Sequence, residues 1–211
     1  MFVNPVKSQR GMKNIGFLED LKLEIRIWMT RLSNLTSRRT LSTREKSGII
    51  KLYRERFSTD YFVETGTYIG DMVVNLRNDF KHIITIELSG ELFRRAEKRL
   101  KRYKHVRMIR GDSGEVINKI LLKTNKPTLF WLDAHFSGGV TAMTDKHTPV
   151  KSELKAIMKH RIKTHVVLVD DADMFDGSFG YPKVSELRHM VKRLAPKYLI
   201  ENKDGIIRIH P

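Results

Sequence analysis

The sequence predicts an α/β protein: a doubly wound, mostly parallel seven-stranded sheet with a C-terminal antiparallel hairpin, preceded by N-terminal helices. Three observations lead there. From Tyr61 onward, short apolar runs alternate with amphipathic stretches of helical length, the order that builds a parallel sheet with helices on both faces. Two of those runs, HIITI and HVVLV, are largely apolar without alternation, as strands covered on both faces require. The chain closes with KYLIENKDGIIRIHP, two strand-like runs around an Asp-Gly turn, which breaks the alternation and should pair antiparallel.

The elements follow in order. Residues 1–14 read as loose. FLEDLKLEIRIWMTRL places Leu18, Leu21, Ile25, Trp28, Met29 and Leu32 on one helical stripe, and SNLTSRRTLST breaks it. A second helix covers REKSGIIKLYRERF, with Thr43 as its expected cap and Lys46 where a capping-box acid would stand. Residues 1–57 are therefore read as a helical extension and 58–211 as the main domain. There, strand YFVET precedes helix GDMVVNLRNDF, HIITIEL precedes SGELFRRAEKRLKRY, and HVRMIRGD precedes SGEVINKILLK. TLFWLDAH leads through a long loop to TPVKSELKAIMKH, and THVVLVDDA leads to KVSELRHMVKRL.

Composition narrows the classes. Apolar residues make up 40% of the 211, enough for a packed core and too many for a disordered chain. The chain has no cysteine, which excludes disulfides and thiolate metal sites and fits a reducing compartment such as the cytoplasm. The N-terminus shows no signal-peptide pattern, and no uncharged apolar run is long enough to span a bilayer. The net charge of +16 suits a solvated surface, or attraction to a nucleic acid, an acidic membrane face or a phosphate-bearing substrate. The excess gathers in the N-terminal segment and in FRRAEKRLKRYKHVRMIR. No aromatic-rich nucleic-acid motif accompanies it, so a nucleic-acid partner is not favoured.

Ligands of doubly wound sheets bind beyond the carboxyl ends of the strands. Each of the first five strands delivers an acid there: Glu64, Glu87, Asp112 with Ser113, Asp133 with His135, and Asp170 with Asp171. One such acid commonly caps the next helix; five in succession ask for another explanation. After Glu64 come Thr65, Gly66, Thr67 and Gly70. Gly66 permits a tight turn and a close ligand, and Gly70 opens the following helix. Glu87, 23 residues beyond Glu64, stands where an acid accepts hydrogen bonds from ribose hydroxyls. A dinucleotide site would need Gly-x-Gly-x-x-Gly against a pyrophosphate. An acid beside a single glycine suits a cationic nucleoside instead, and S-adenosylmethionine, with its ammonium and sulfonium, is one.

VETGTYIG resembles the first motif of the Rossmann-like, class I methyltransferases that use S-adenosylmethionine, from Tyr61 to the C-terminus. TIEL resembles their ribose-binding strand end, GDS their adenine-contacting segment, and the closing hairpin their last two strands. The resemblance implies a cofactor site at Glu64, Gly66, Thr67, Gly70, Glu87, Asp112, Ser113 and Asp133.

WLDAHFSGG and LVDDAD add acids that methyl transfer does not require. Carboxylates crowded at adjacent strand ends repel unless a cation lies between them, and a hard divalent ion such as Mg²⁺ prefers oxygen ligands. His135 could bind that ion, serve as general base, or be a buried structural histidine. Asp171 could instead cap a turn, and Asp173, His147, His160 and His165 read as structural or solvated. The two motifs together resemble the metal-dependent sugar O-methyltransferases, the macrocin and related glycoside enzymes. Size and charge are similar to glycan methyltransferases of large algal viruses. The resemblance implies Asp133, Asp170 and Asp171 as Mg²⁺ ligands, His135 and Asp133 as catalytic residues, and a sugar or glycan acceptor. His135 stands where that family usually has an aspartate. The loop FSGGVTAMTDKHTPVK, with Gly138 and Gly139, suits a lid, and Lys146 and Lys151 either meet a substrate phosphate or are solvated.

Three alternatives compete. A nucleic-acid methyltransferase would use the basic surface. A binding module would keep the fold without the reaction. A metal-dependent hydroxylase could use the same scaffold. The N-terminal helices carry an apolar stripe that needs a partner: the domain, the substrate, or a second copy in a homodimer.

Overall fold

A computed structural model describes residues 41–133, 148–178 and 180–211. The expected first helix, His135, His147, Gly138, Gly139 and Lys146 lie outside the described residues. One compact unit runs from Leu41 to Pro211.

The chain order is helix α1 (Thr43–Phe57), strand β1 (Tyr61–Thr65), α2 (Asp71–Leu76), β2 (His82–Glu87), α3 (Gly90–Leu100), β3 (Val106–Arg110) and α4 (Ser113–Lys123). It continues with β4 (Thr128–Leu132), α5 (Val150–Lys159), β5 (Val166–Val169), α6 (Val184–Leu194), β6 (Leu199–Lys203) and β7 (Ile206–His210). The sheet order is β3-β2-β1-β4-β5-β7-β6. The first five strands are parallel, and β7 pairs antiparallel with both β5 and β6. The fold class expected from the sequence is the one observed.

Alternation along the strands divides the core. Phe62, Ile83, Leu129, Trp131, Val166 and Leu168 turn to one face. There they meet Ile50 and Tyr53 of α1, Met72, Val73 and Leu76 of α2, and Ala96 and Leu100 of α3. Helices α4, α5 and α6 bury their own stripes, led by Ile117, Leu154 and Val191. Helix α1 therefore packs into the core of the sheet unit.

Two local expectations need correction. The cap of α1 is Ser42, not Thr43. Ser42 Oγ accepts from the Glu45 amide at 3.3 Å, and Glu45 Oε2 accepts from the Ser42 amide at 2.9 Å. The capping box is complete because it starts one residue earlier, and Lys46 is released from it. Helix α2 also stops at Leu76 rather than running to Phe80. Its expected continuation, Arg77-Asn78-Asp79, includes two residues whose side chains compete for backbone hydrogen bonds.

Replacing Ser42 by Ala removes one side of the box and should cost about 1 kcal/mol. Thermal unfolding should show the midpoint lowered by a few degrees, with the α-helical signal otherwise intact.

Candidate active site at the carboxyl rim of the sheet

Strand register decides which side chains meet. Thr65 of β1 is level with Ile86 of β2 and Leu132 of β4, and Leu132 is level with Val169 of β5. The next residue on each strand is therefore level too: Gly66, Glu87, Asp133 and Asp170. The ladder continues into this rung, since Gly66 N donates to Ile86 O at 3.0 Å, Asp133 N to Thr65 O at 3.2 Å, and Asp170 N to Leu132 O at 2.9 Å. Residues from four strands are thus aligned by backbone hydrogen bonds.

Gly66 is required at its place. Its φ is +87°, and a Cβ there would lie 3.0 Å from Asp133 Cβ. Gly70, at φ +83°, precedes α2, and a Cβ would lie 3.0 Å from Leu100 Cδ1. The first glycine brings the Asp133 side chain against the turn after β1; the second seats α2 on α3.

On one side of the turn the acids are held by amides and hydroxyls. Glu87 Oε2 accepts from Tyr68 N and Oε1 from Ser89 N, both at 2.8 Å. Each carboxylate oxygen keeps further acceptor capacity in a fixed orientation. Glu64 Oε2 accepts from Thr85 Oγ1 at 2.6 Å, and Thr85 Oγ1 lies 2.5 Å from Thr67 Oγ1. Thr67 is buried, so its hydroxyl belongs to this chain of contacts. Burial pushes the Glu64 carboxyl up to about 8; Thr85 opposes the shift, while Asp133 and Glu87 add to it. Asp112 caps α4, accepting from Gly114 N at 2.8 Å, with Ser113 the first helical residue. This acid does have the ordinary capping role.

On the other side, Asp133, Asp170 and Asp171 each bring a carboxylate oxygen within 4.8 Å of the others. Asp171 has φ +53°, uncommon for a residue with a side chain. Asp170 is pushed up to about 7 by its burial and by Asp171, although Lys46 acts in the opposite direction. Lys46 is the residue that sequence reasoning missed here. Its Nζ lies 2.5 Å from Asp170 Oδ2 and 3.9 Å from Asp171 Oδ1. Burial works against the ammonium, yet the neighbouring aspartates hold its pKa above the ordinary lysine value.

No protein-family model and no curated protein matches the chain. Solved structures do. An O-methyltransferase from Bacillus cereus, determined in complex with SAH, aligns over 90% of each chain with TM-score 0.56 and 16% identity. A Staphylococcus aureus protein assigned as a caffeoyl-CoA O-methyltransferase aligns over 94% of this chain and 99% of its own, with TM-score 0.55 and 20% identity. The methyltransferase domain of bacterial CtHen1 aligns over 79% of this chain and 97% of its own, with TM-score 0.53 and 12% identity. The chain has the class I methyltransferase fold.

Within that methyltransferase fold, Glu153 of α5 is a second residue the sequence reading passed over. It is fully buried; the hydroxyls of Ser113 and Thr65 lie near its carboxyl, but among the described residues none meets strict hydrogen-bond geometry with either oxygen. Burial pushes its carboxyl up to about 7, against the influence of Ser113 and Thr65. The available signal was its place on the apolar stripe of Val150, Leu154 and Ile157. Lys46 has the same signature, four residues before Ile50 on the buried stripe of α1.

Among the described residues, the remaining charged and imidazole candidates named from the sequence have ordinary settings. Lys151 pairs with Glu186 at 3.1 Å on the surface. Asp173 is exposed. His165 is buried, its Nδ1 accepting from Thr128 N at 3.2 Å and its Nε2 2.8 Å from His160 Nδ1. Burial and His160 push it down to about 4, which marks a structural histidine. Among the described residues no helix is long and apolar enough to cross a membrane.

Glu64 supplies a pH test. Its folded pKa of about 8 exceeds the ordinary glutamate value, so between the two the folded state retains a proton that the unfolded state has lost. Its contribution to stability is full below the unfolded pKa and disappears as pH rises through 8. Denaturant unfolding of ligand-free protein from pH 5 to 8 should therefore fall less steeply for Glu64→Gln. The slope difference is at most about 1.4 kcal/mol per pH unit, and equal slopes would contradict the assignment.

Proposed function

We infer that the protein is an S-adenosylmethionine-dependent O-methyltransferase, metal-dependent, that methylates a hydroxyl of a sugar or glycan. The observation that carries this reading is the single rung that sets amide-held Glu87 on one side of Gly66 and Asp133 and Asp170, with Asp171 next to them, on the other. Support for the donor comes from the methyltransferase fold and from the SAH named with the Bacillus cereus structure. The O-methyltransferase names of the similar structures support the reaction type. Support for a sugar comes from the resemblance of WLDAH and LVDDAD to the glycoside enzymes.

Glu87 is fit to accept the two ribose hydroxyls, being already oriented by two amides. Glu64, a buried carboxyl near Asp133 and without a cationic side chain among its hydrogen-bond partners, favours a cationic ligand nearby. The donor set of three carboxylates fits a hard divalent ion, and Asp133, Asp170 and Asp171 would hold it. When bound, such an ion supplies Lewis acidity toward a hydroxyl. The acceptor oxygen takes the methyl group, the carbon–sulfur bond breaks to leave S-adenosylhomocysteine, and the hydroxyl proton passes to a base. His135 is the proposed base; Asp133, two residues before it in the chain, orients the reacting groups.

A second reading rests on the exposed basic residues of α3 and β3, including Arg94, Arg95, Lys98, Arg107 and Arg110. They would suit a nucleic-acid acceptor, and binding to RNA or DNA that weakens steeply with salt would favour it.

Calorimetric titration with S-adenosylhomocysteine should show micromolar binding. Glu87→Ala should weaken it about 10- to 150-fold, the loss of about 1.5–3 kcal/mol for hydrogen bonds to a charged group. Unchanged affinity would place the ribose elsewhere.

Asp170→Asn should abolish metal-dependent methyl transfer to sugar acceptors while S-adenosylhomocysteine still binds. Full turnover of the unaltered protein in excess chelator would remove the metal from the mechanism.

A further inference from the structure

Lys46 reaches two of the three acids that a metal reading assigns to an ion. It approaches from α1, outside the strands that supply the acids, and its ammonium lies 2.5 Å from Asp170 and 3.9 Å from Asp171. The Lys46 side chain is 19% exposed and that of Asp170 5% exposed, so water screens the pair poorly. The lysine is anchored close behind its charge, because Ile50 and Tyr53, one and two turns later, are packed in the core.

An ammonium donates hydrogen bonds but offers no coordination site for a hydroxyl. A divalent ion that takes an oxygen of Asp170 as ligand brings two positive charges to where Lys46 already sits. Two cations at hydrogen-bond distance from one carboxylate repel. The Asp170 oxygen nearest Lys46 can therefore serve one of them at a time.

We propose that Lys46 is a built-in competitor of the divalent ion: the aspartate group holds the Lys46 ammonium or the metal, and Lys46 sets the metal affinity of the site. This rests on the metal-dependent reading above. Metal entry then requires the Lys46 side chain to leave Asp170, which couples the filling of the site to the first turn of α1. Lys46 is a positioning residue here, acting on the acids rather than on the acceptor. In the metal-free protein its ammonium offsets part of the negative charge gathered at Asp170 and Asp171.

The test is Mn²⁺ binding to the full chain, followed by loss of the free-ion electron paramagnetic resonance signal. Mn²⁺ shares the preference for oxygen ligands. Lys46→Met should bind Mn²⁺ at least tenfold more tightly than the unaltered protein, Lys46→Arg should stay close to it, and Asp170→Asn should lose the site. Thermal unfolding supplies a second readout. Metal-free Lys46→Met should melt below the unaltered protein, and saturating Mn²⁺ should raise its midpoint by more. Lys46→Gln serves the same purpose if the methionine variant does not fold. Equal Mn²⁺ affinity in the unaltered protein and both neutral variants overturns the competition while leaving the metal reading in place. Absence of Mn²⁺ binding from all of them overturns both.

Discussion

Like charges held together at the end of a buried sheet are the constraint around which this molecule is arranged. Parallel register places Glu87, Asp133 and Asp170 on one rung, with Glu64 two residues before Gly66 on the same strand. The backbone hydrogen bonds that continue the ladder beyond the strand ends hold these acids in place. Mutual repulsion cannot be relieved by spreading apart, because the sheet would have to break. Relief must come from donors, cations or protons.

The structure uses all three, in different places. Glu87 is satisfied by amides. Asp170 has an ammonium. Glu64, Glu153 and Asp170 all have carboxyl groups pushed toward or beyond neutrality, with burial the largest cause in each. The rim can therefore take up positive charge from a ligand. A ligand that carries cationic groups to it displaces protons, and its affinity must rise with pH over the range in which those carboxyls titrate. That property belongs to the group of acids rather than to any one of them.

Much of this was legible in the chain. The seven strands, their ends and the closing hairpin follow from runs such as HIITI and HVVLV and from the Asp-Gly turn. The acids at the strand ends were visible because strand ends are where such a sheet binds ligands. Asp112 shows that an acid at a strand end can also have a local role. Its carboxylate caps a helix, and its neighbours in the sequence look no different from those of Glu87. What distinguishes the two is the approach of the Tyr68 amide from another strand's loop, a contact set by tertiary packing.

Lys46 and Glu153 were hidden for the opposite reason. Each is a charged residue on an otherwise apolar helical stripe, and such residues are ordinarily assigned to a stripe's edge, where long side chains reach solvent. Here the helices lie over the carboxyl rim, so the same positions point at acids and hydroxyls instead of water. The position of the cap has a related effect: with Thr43 as cap, Lys46 stands as a flaw in a capping box that Ser42 and Glu45 in fact complete. Once the cap is satisfied without it, the lysine has no local role in the first turn of α1. Its charge then has one evident destination, the aspartate that the strand register places before it. A basic residue that breaks an apolar stripe is thus best tested against the ends of the strands its helix covers.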